Sequence, residues 1–540
     1  MTQRRGAALL VLALGLALYL PGLGVEILRH PLEAKYALAA REMLRGGGLL
    51  VAHLFGELYP DKPPLYFWAT AALGWLGGGH IGEVTARLPA VLAALATLLL
   101  VQRLGTDLFG PRAGLLSAVT LATSNLFFWY ARQGHPDQFL TAFVTLAGLA
   151  LWRGFAAAPG GARRGYTVLA YGAMALGVLS KGLLGLLLPL LGGAAYLAAT
   201  GPPRAVAARL RLGPGLGVFL AVALAWYGPA VAQNGPGYLY ETVVRQHVVR
   251  YAHTWVHAGP WYYYFGEFVS EFFPWILFLP GAIVLGWRAG GAAFRFPLAW
   301  FATGFVFLSL STSKRGAYLL PLYPAATLLV GWLWDRALGS GTGTRWIGGP
   351  LALLSGTAGL LGLGLVLVPR RLIPGRMVDT MVPADPAALA AVVALLLLGA
   401  AAVWLPWRRG RPDLALAALV TVQAVLLLAV ATIRAPQYEA RFPARAFAAR
   451  VRVAVPPDGT PLLSLLDDYN FIVAFYLDRP LRPLPGPTEL LAARAPDRPR
   501  YALIDNHDEA VLREPGVHRL EETRLGPRRI VLIRLDPVPR

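Results

Sequence analysis

Apolar stretches of about 18–22 residues recur from residue 7 to about residue 434, each long enough to cross a hydrocarbon layer of roughly 30 Å as a helix. Only 14% of the 540 residues are charged, against roughly 25% in soluble proteins, and mean hydropathy is +0.53. The expected fold class is an all-α polytopic membrane protein.

The opening MTQRRGAALLVLALGLALYLPGLG has the basic start of a signal peptide. It lacks a small-x-small cleavage site and leads into further apolar runs, so it reads as an uncleaved first helix. The chain has no cysteine, which excludes disulfides and thiolate chemistry. The net charge of +20 sits largely as Arg in short loops between apolar runs. Topology and anionic lipid head groups account for that charge without a nucleic-acid partner.

The bias of Lys and Arg towards cytoplasmic loops orients the segments. MTQRR places the N-terminus inside, and residues 25–83 follow as an outside loop. The short run 64–79 ends in three glycines and reads as resting in the outer interface. This assignment puts 103–112, 153–165, 202–212, 288–295, 336–346 and 408–412 on the cytoplasmic side, with 369–376 and 313–316 as exceptions. It predicts helices near 7–24, 84–104, 113–131, 138–155, 166–180, 181–199, 213–233, 268–288, 294–311, 317–336, 348–368, 386–407 and 411–434. That makes about 13 crossings of an inner (plasma) membrane. The loop 234–267 and the C-terminus then lie outside. No internal repeat of the kind found in two-halved transporters is visible. After residue 434 the composition changes: 435–540 reads as a soluble α/β domain, with a helix and then a strand before residue 458. Further β-like runs follow in LLSLLDDYNFIVAFYL, RYALIDNHDEAVL and RRIVLIRLDP. Residues 1–434 form the membrane domain.

The outside face collects the unusual polar residues: His30, Glu33, Lys35, Tyr36, Tyr59, Asp61, Lys62, His135, Asp137, Lys181, His247, Arg250, Lys314 and Tyr318. Glu33 and Asp137 each follow a His-Pro pair and open a helical pattern, so both fall in a first turn, where the helix dipole favours an ionised acid. Paired carboxylates at a membrane surface suit a general base or a divalent cation, and lysines there suit a phosphate. Each residue alone has a plainer reading: a solvated helix face for Glu33, a first-turn cap for Asp137, a snorkelling anchor for a lone Lys. Their gathering on one face is what favours a site.

EAKYALAAREML, LYPDKPPLYFWATAALGWLGG and ARLPA, with ARQGHPDQF, SKGLLG and SKRGAYLLPLYPA, resemble the GT-C fold glycosyltransferases that include aminoarabinose lipid A transferases and protein O-mannosyltransferases. The resemblance covers residues 1 to about 340 and is architectural beyond. It implies transfer of a sugar from a polyprenyl-phosphate donor to a lipid, glycan or protein acceptor at the outer face of the inner membrane. It also implies catalytic roles for Asp137 and Glu33, and carrier-phosphate contacts from Lys35, Lys62, Lys181 and Arg250. Tyr36, Tyr59, Asp61, His247, Lys314 and Tyr318 are further pocket candidates. A divalent metal ion (Mg, Mn or Zn) held by Glu33 and Asp137 is the implied cofactor. Leu32 stands where the family has the first Asp of an Asp-Glu pair.

The expected chemistry is an inverting transfer in which lysines stabilise the departing phosphate. Two rival readings are a transporter or flippase of lipid-linked sugar and a non-catalytic binder of the same lipid.

Overall fold

The computed structural model describes residues 2–28, 30–254, 257–368, 385–457, 460–479 and 481–538. The basic segment 369–376, expected outside, lies beyond the described residues. Helices occupy the apolar runs, opening with α1 (Thr2–Tyr19), α2 (Pro31–Leu44), α3 (Leu65–Leu76), α4 (Glu83–Phe109), α5 (Pro111–Ala122), α6 (Asn125–Ala131), α7 (Asp137–Ala156), α8 (Gly161–Lys181) and α9 (Leu184–Thr200). Among the described residues eight helices are long and apolar enough to cross a membrane, or nine if a pair bent by 106° is one segment.

Local chemistry explains the segments that are not single rods. The run 113–131 breaks between α5 and α6, where Thr123 and Ser124 turn their hydroxyls back onto Val119 O (2.8 Å) and Thr120 O (2.7 Å). The run 268–288 bends between Tyr263–Glu271 and Trp275–Ala289, where Pro274 supplies no N–H. α3 is 12 residues long, about 18 Å, too short to cross alone. Close helix approach is bought by glycine: a Cβ on Gly105 would meet the Gly114 backbone where α4 and α5 pack.

One end of the helix bundle carries the helix that the charged stretch 30–43 becomes. His30 caps α2 by accepting from Leu32 N (3.2 Å), Pro31 is its first residue, and Glu33 falls in its first turn. α2 is buried rather than solvated. Arg41 donates to Phe475 O (2.9 Å), Asp478 (3.1 Å) and Ile81 O (2.9 Å), joining α2 to the C-terminal part. The hairpin of β1 (His53–Leu54) and β2 (Glu57–Leu58) turns through Phe55 and Gly56, both at positive φ, and Glu42 accepts both turn amides.

The C-terminal part holds a five-stranded mixed sheet: β3 (Leu462–Ser464), β4 (Leu481–Pro483), β5 (Arg500–Asp505), β6 (Val517–Leu525) and β7 (Arg528–Leu535), in the order β4-β3-β5-β7-β6. β3 runs parallel to β4 and β5, while β7 is antiparallel to β5 and β6. Two expectations fail here. RVRVAV ends the helix Ala444–Ala454 instead of forming a strand, and FIVAFYL lies in the helix Tyr469–Leu477. A short continuous apolar run buried on several sides has no period that separates strand from helix. This second helix packs on α2 through Ile472, Val473 and Phe475 in one shared core.

Candidate active site

The site forms where the first turn of α7, the α8–α9 junction, the loop before α3 and the segment 240–252 meet. Asp137, 4% exposed, opens α7 and is ion-paired with Lys181 at the end of α8. Lys181 also sits over the Tyr318 ring, 4.8 Å from its centre. Arg315 is the second cation that Asp137 faces. Burial opposes the Arg315 charge, but Asp137, Tyr130, Tyr36 and Tyr318 outweigh it and raise its pKa. His135, buried beside Asp137, stays neutral: burial overrides the pull of Asp137 and lowers its pKa to about 3.

A cavity of about 290 Å³ opens beside this pair. Lys62, Lys181, Arg250, Gln246, His247 and Tyr318 line it together with Leu183, Leu184, Leu187, Phe307 and Leu308. Gly182 at φ +126° lets the chain turn between α8 and α9, and a Cβ there would run into the His247 ring. His247 is half-buried, its Nε2 shielded and unpaired, and burial, helped by Lys62 and Arg250, lowers its pKa to about 3. Lys62 is pushed down to about 8, first by burial and then by Arg250, Lys181 and Arg315 against the pull of Asp61. A concentration of cations this close lowers the proton affinity of its members until an anion arrives.

Asp61 is the hub of the neighbouring loop. It accepts from Gln246 (3.1 Å), faces Lys35 at 3.7 Å, and its backbone carbonyl accepts from Lys62 (3.0 Å). Gln246 in turn accepts from Arg250 (3.4 Å), so Asp61 fixes the segment that carries His247 and Arg250. Tyr59 and Tyr36 are buried, and burial raises both phenols first of all. The Tyr36 ring meets His135 edge-on at 5.6 Å.

Three expected site residues are placed elsewhere. Glu33, 3% exposed, receives Arg87 on both oxygens (2.8 and 3.1 Å) and the Gly134 amide (2.7 Å). Burial works to raise its pKa, but Arg87 and Gly134 hold it low, so both carboxylate oxygens are engaged by the protein itself. Lys314 donates to the carbonyls of Leu308 (3.1 Å), Ser309 (2.6 Å) and Ser311, closing the end of the helix Gly291–Leu310 rather than lining the cavity. Lys35 lies between the rings of Tyr59 (4.4 Å) and Phe471 (5.0 Å), outside the cavity lining. Arg87 lies in the ARLPA element of the resemblance, which assigns it no role, Gln246 is an unremarkable loop amide in the sequence, and Phe471 comes from the far end of the chain. The Glu33–Asp137 pair does not fit a shared metal ion, because each carboxylate is engaged by a different cation of the protein. Among the described residues no group of three His, Asp or Glu side chains is placed to hold a metal ion.

Residues 61–227 match the family model described as dolichyl-phosphate-mannose-protein mannosyltransferase. The chain is 31% identical over 359 residues to the undecaprenyl phosphate-alpha-4-amino-4-deoxy-L-arabinose arabinosyl transferase of Edwardsiella ictaluri, covering 65% of this chain and 63% of that one. It is 33% identical over 374 residues to transferase 1 of the same name from Pseudomonas fluorescens, covering 67% and 66%. The matched part thus spans somewhat less than two thirds of these relatives. The fold superposes on ArnT from Cupriavidus metallidurans bound to undecaprenyl phosphate with a TM-score of 0.79, at 23% identity over 99% of both chains.

Proposed function

Since the chain belongs to the GT-C glycosyltransferase family of the aminoarabinose lipid A transferases and protein O-mannosyltransferases, we propose that it transfers a sugar from a polyprenyl-phosphate donor to a lipid, glycan or protein acceptor. The carrying observation is the mixed lining of one cavity: leucines and Phe307 that suit an isoprenoid chain, with Lys62, Lys181 and Arg250 that suit its phosphate. The names of the curated relatives give undecaprenyl phosphate as the sugar carrier, and the same lipid is bound in the superposable ArnT structure.

In this reading an acceptor oxygen attacks the anomeric carbon from the face opposite the phosphate. The bond between that carbon and the phosphate oxygen breaks, polyprenyl phosphate leaves, and the acceptor's proton passes to Asp137. Lys181 then exchanges its partner, moving from Asp137 towards the growing phosphate charge, which Lys62 and Arg250 share. A phosphate leaving group needs little protonation, so the arrangement requires no general acid. Glu33 is assigned a positioning role: through Gly134 it holds the turn that presents Asp137. The reading takes no step through a metal ion. It keeps thirteen crossings of the inner membrane, with α3 in the outer interface and 435–540 on the outer side.

Lys62 makes the donor reading testable by pH. Its charge is present below its depressed pKa and lost as pH rises through it, so affinity for undecaprenyl phosphate should fall above about pH 8. Bound phosphate raises that pKa, so the decline begins at or above this point. Lys62→Arg, which keeps its charge, should bind with little pH dependence over the same range. Binding in nanodiscs by native mass spectrometry reads both. A wild-type affinity flat from pH 7 to 10 removes Lys62 from the phosphate site, and binding without turnover returns the non-catalytic reading.

A further inference from the structure

The turn between α7 and α8 lies at the other end of the bundle from Asp137 and Lys181. α7 is 20 residues long, about 30 Å, so its two ends reach the two head-group layers of a bilayer. Beside that turn is a recess of about 700 Å³, lined by Arg103 of α4, Trp152 and Arg153 of α7, the turn residues 156–162, and Tyr166 of α8. Asp107 also lines it and takes one arginine on each oxygen, Arg103 Nε at 3.2 Å and Arg153 Nε at 2.7 Å. One carboxylate therefore holds two guanidiniums side by side and neutralises only one of them. Among the described residues Arg153 Nη2 has no hydrogen-bond partner, and neither has Nε of the neighbouring Arg163. α8 opens on Gly160, at φ +146°, and Gly161, neither of which has a side chain to cap its first amides.

We propose that this recess binds the phosphodiester head of an anionic membrane lipid, in the leaflet opposite the transfer site. The inference is independent of the transfer chemistry. A guanidinium whose Nε is already engaged still presents its Nη donors. Two such groups fixed by one carboxylate match the oxygens of a phosphate better than flexible lysines would. The first turn of α8 adds a favourable field without choosing the ligand. Depth favours a lipid over a free phosphate ester. Tyr166 sits in the lining, and just beyond it along α8, on the membrane side, Val168 and Leu169 are 54% and 42% exposed. An acyl chain thus has an apolar surface to follow directly from the head. A zwitterionic head brings its own cation to the two arginines, so the recess selects by charge as well as by shape.

The full chain in phosphatidylcholine nanodiscs doped with photoreactive phosphatidylglycerol, mapped by peptide mass spectrometry, tests this. Label should fall in the segments that line the recess, around Arg103 and between Trp152 and Leu169. Arg103→Gln, which leaves the Arg153–Asp107 pair in place, should lower that labelling at least about tenfold, the scale of one charge-assisted hydrogen bond. The same variant should bind undecaprenyl phosphate as the wild type does, since the donor cavity lies at the other end. Arg204→Gln, at an exposed position of the same end but outside the recess, should leave the labelling unchanged. Excess glycerol 1-phosphate should not compete. Unchanged labelling in Arg103→Gln, or label absent from these segments, overturns the proposal. An equal loss in Arg204→Gln reduces the recess to diffuse surface charge, and competition by glycerol 1-phosphate makes it a site for a soluble anion; either result overturns it too.

Discussion

Glu33 and Asp137 stand in the same local sequence setting, yet their surroundings give them different work. Glu33 meets a guanidinium that also donates to Leu23 O (2.7 Å), Glu26 O (2.6 Å) and Ile27 O (3.0 Å), a closed arrangement. Breaking such a buried pair from one side leaves a charge without its partner, so Glu33→Ala should destabilise the protein by about 3–5 kcal/mol. The double change Glu33→Gln with Arg87→Met should recover part of that loss. Thermal unfolding of the detergent-solubilised protein checks both. A Glu33→Ala variant with unchanged stability and no turnover would return Glu33 to the role of base. The sequence exposed Asp137, Lys62 and Lys181 because side assignment gathered them on one face. It could not separate Asp137 from Glu33, since what distinguishes them is Arg87, which lies in ARLPA more than fifty positions along the chain and carries no local sign of its pairing with Glu33.

The helices were readable as elements because hydrocarbon leaves the chain few options: long apolar runs with satisfied backbone. Their interruptions were less readable, since Thr123 and Ser124 break a run that hydropathy alone treats as continuous. In the C-terminal part the strands of RYALID and RRIVLIRL were legible, whereas FIVAFYL was not, because its burial against α2 is a tertiary fact. The α8–α9 junction is the element boundary with the most direct consequence for the site. Gly182→Ala would place a side chain at φ +126° and against His247, at a backbone strain of about 1–3 kcal/mol. The expected outcome is a donor affinity lowered roughly five- to a hundredfold with helical content unchanged, read by undecaprenyl-phosphate binding and circular dichroism. Wild-type affinity in this variant would show that the junction does not shape the cavity.

At the scale of the molecule, α2 is clasped between one end of the membrane helices and the C-terminal sheet part. Arg41 is held by Phe475 O and Asp478, and Arg445 by Glu83 (2.7 Å). The orientation of this assembly has a direct test, because the chain has no cysteine of its own. Asp497→Cys, exposed in the C-terminal part, should react with a membrane-impermeant maleimide in intact spheroplasts, and Arg164→Cys only after lysis. The reverse pattern would invert the topology and place the cavity on the cytoplasmic side.

In the proposed transfer Asp137 acts on a donor held by the lysine-lined cavity. The most direct test of this step is the release of undecaprenyl phosphate from an undecaprenyl-phosphate sugar by the purified protein in nanodiscs with an acceptor lipid. Asp137→Asn should lower that rate by roughly 10²–10⁴-fold, the usual contribution of a positioned general base, while donor binding is retained. Turnover by Asp137→Asn at the wild-type rate would contradict it.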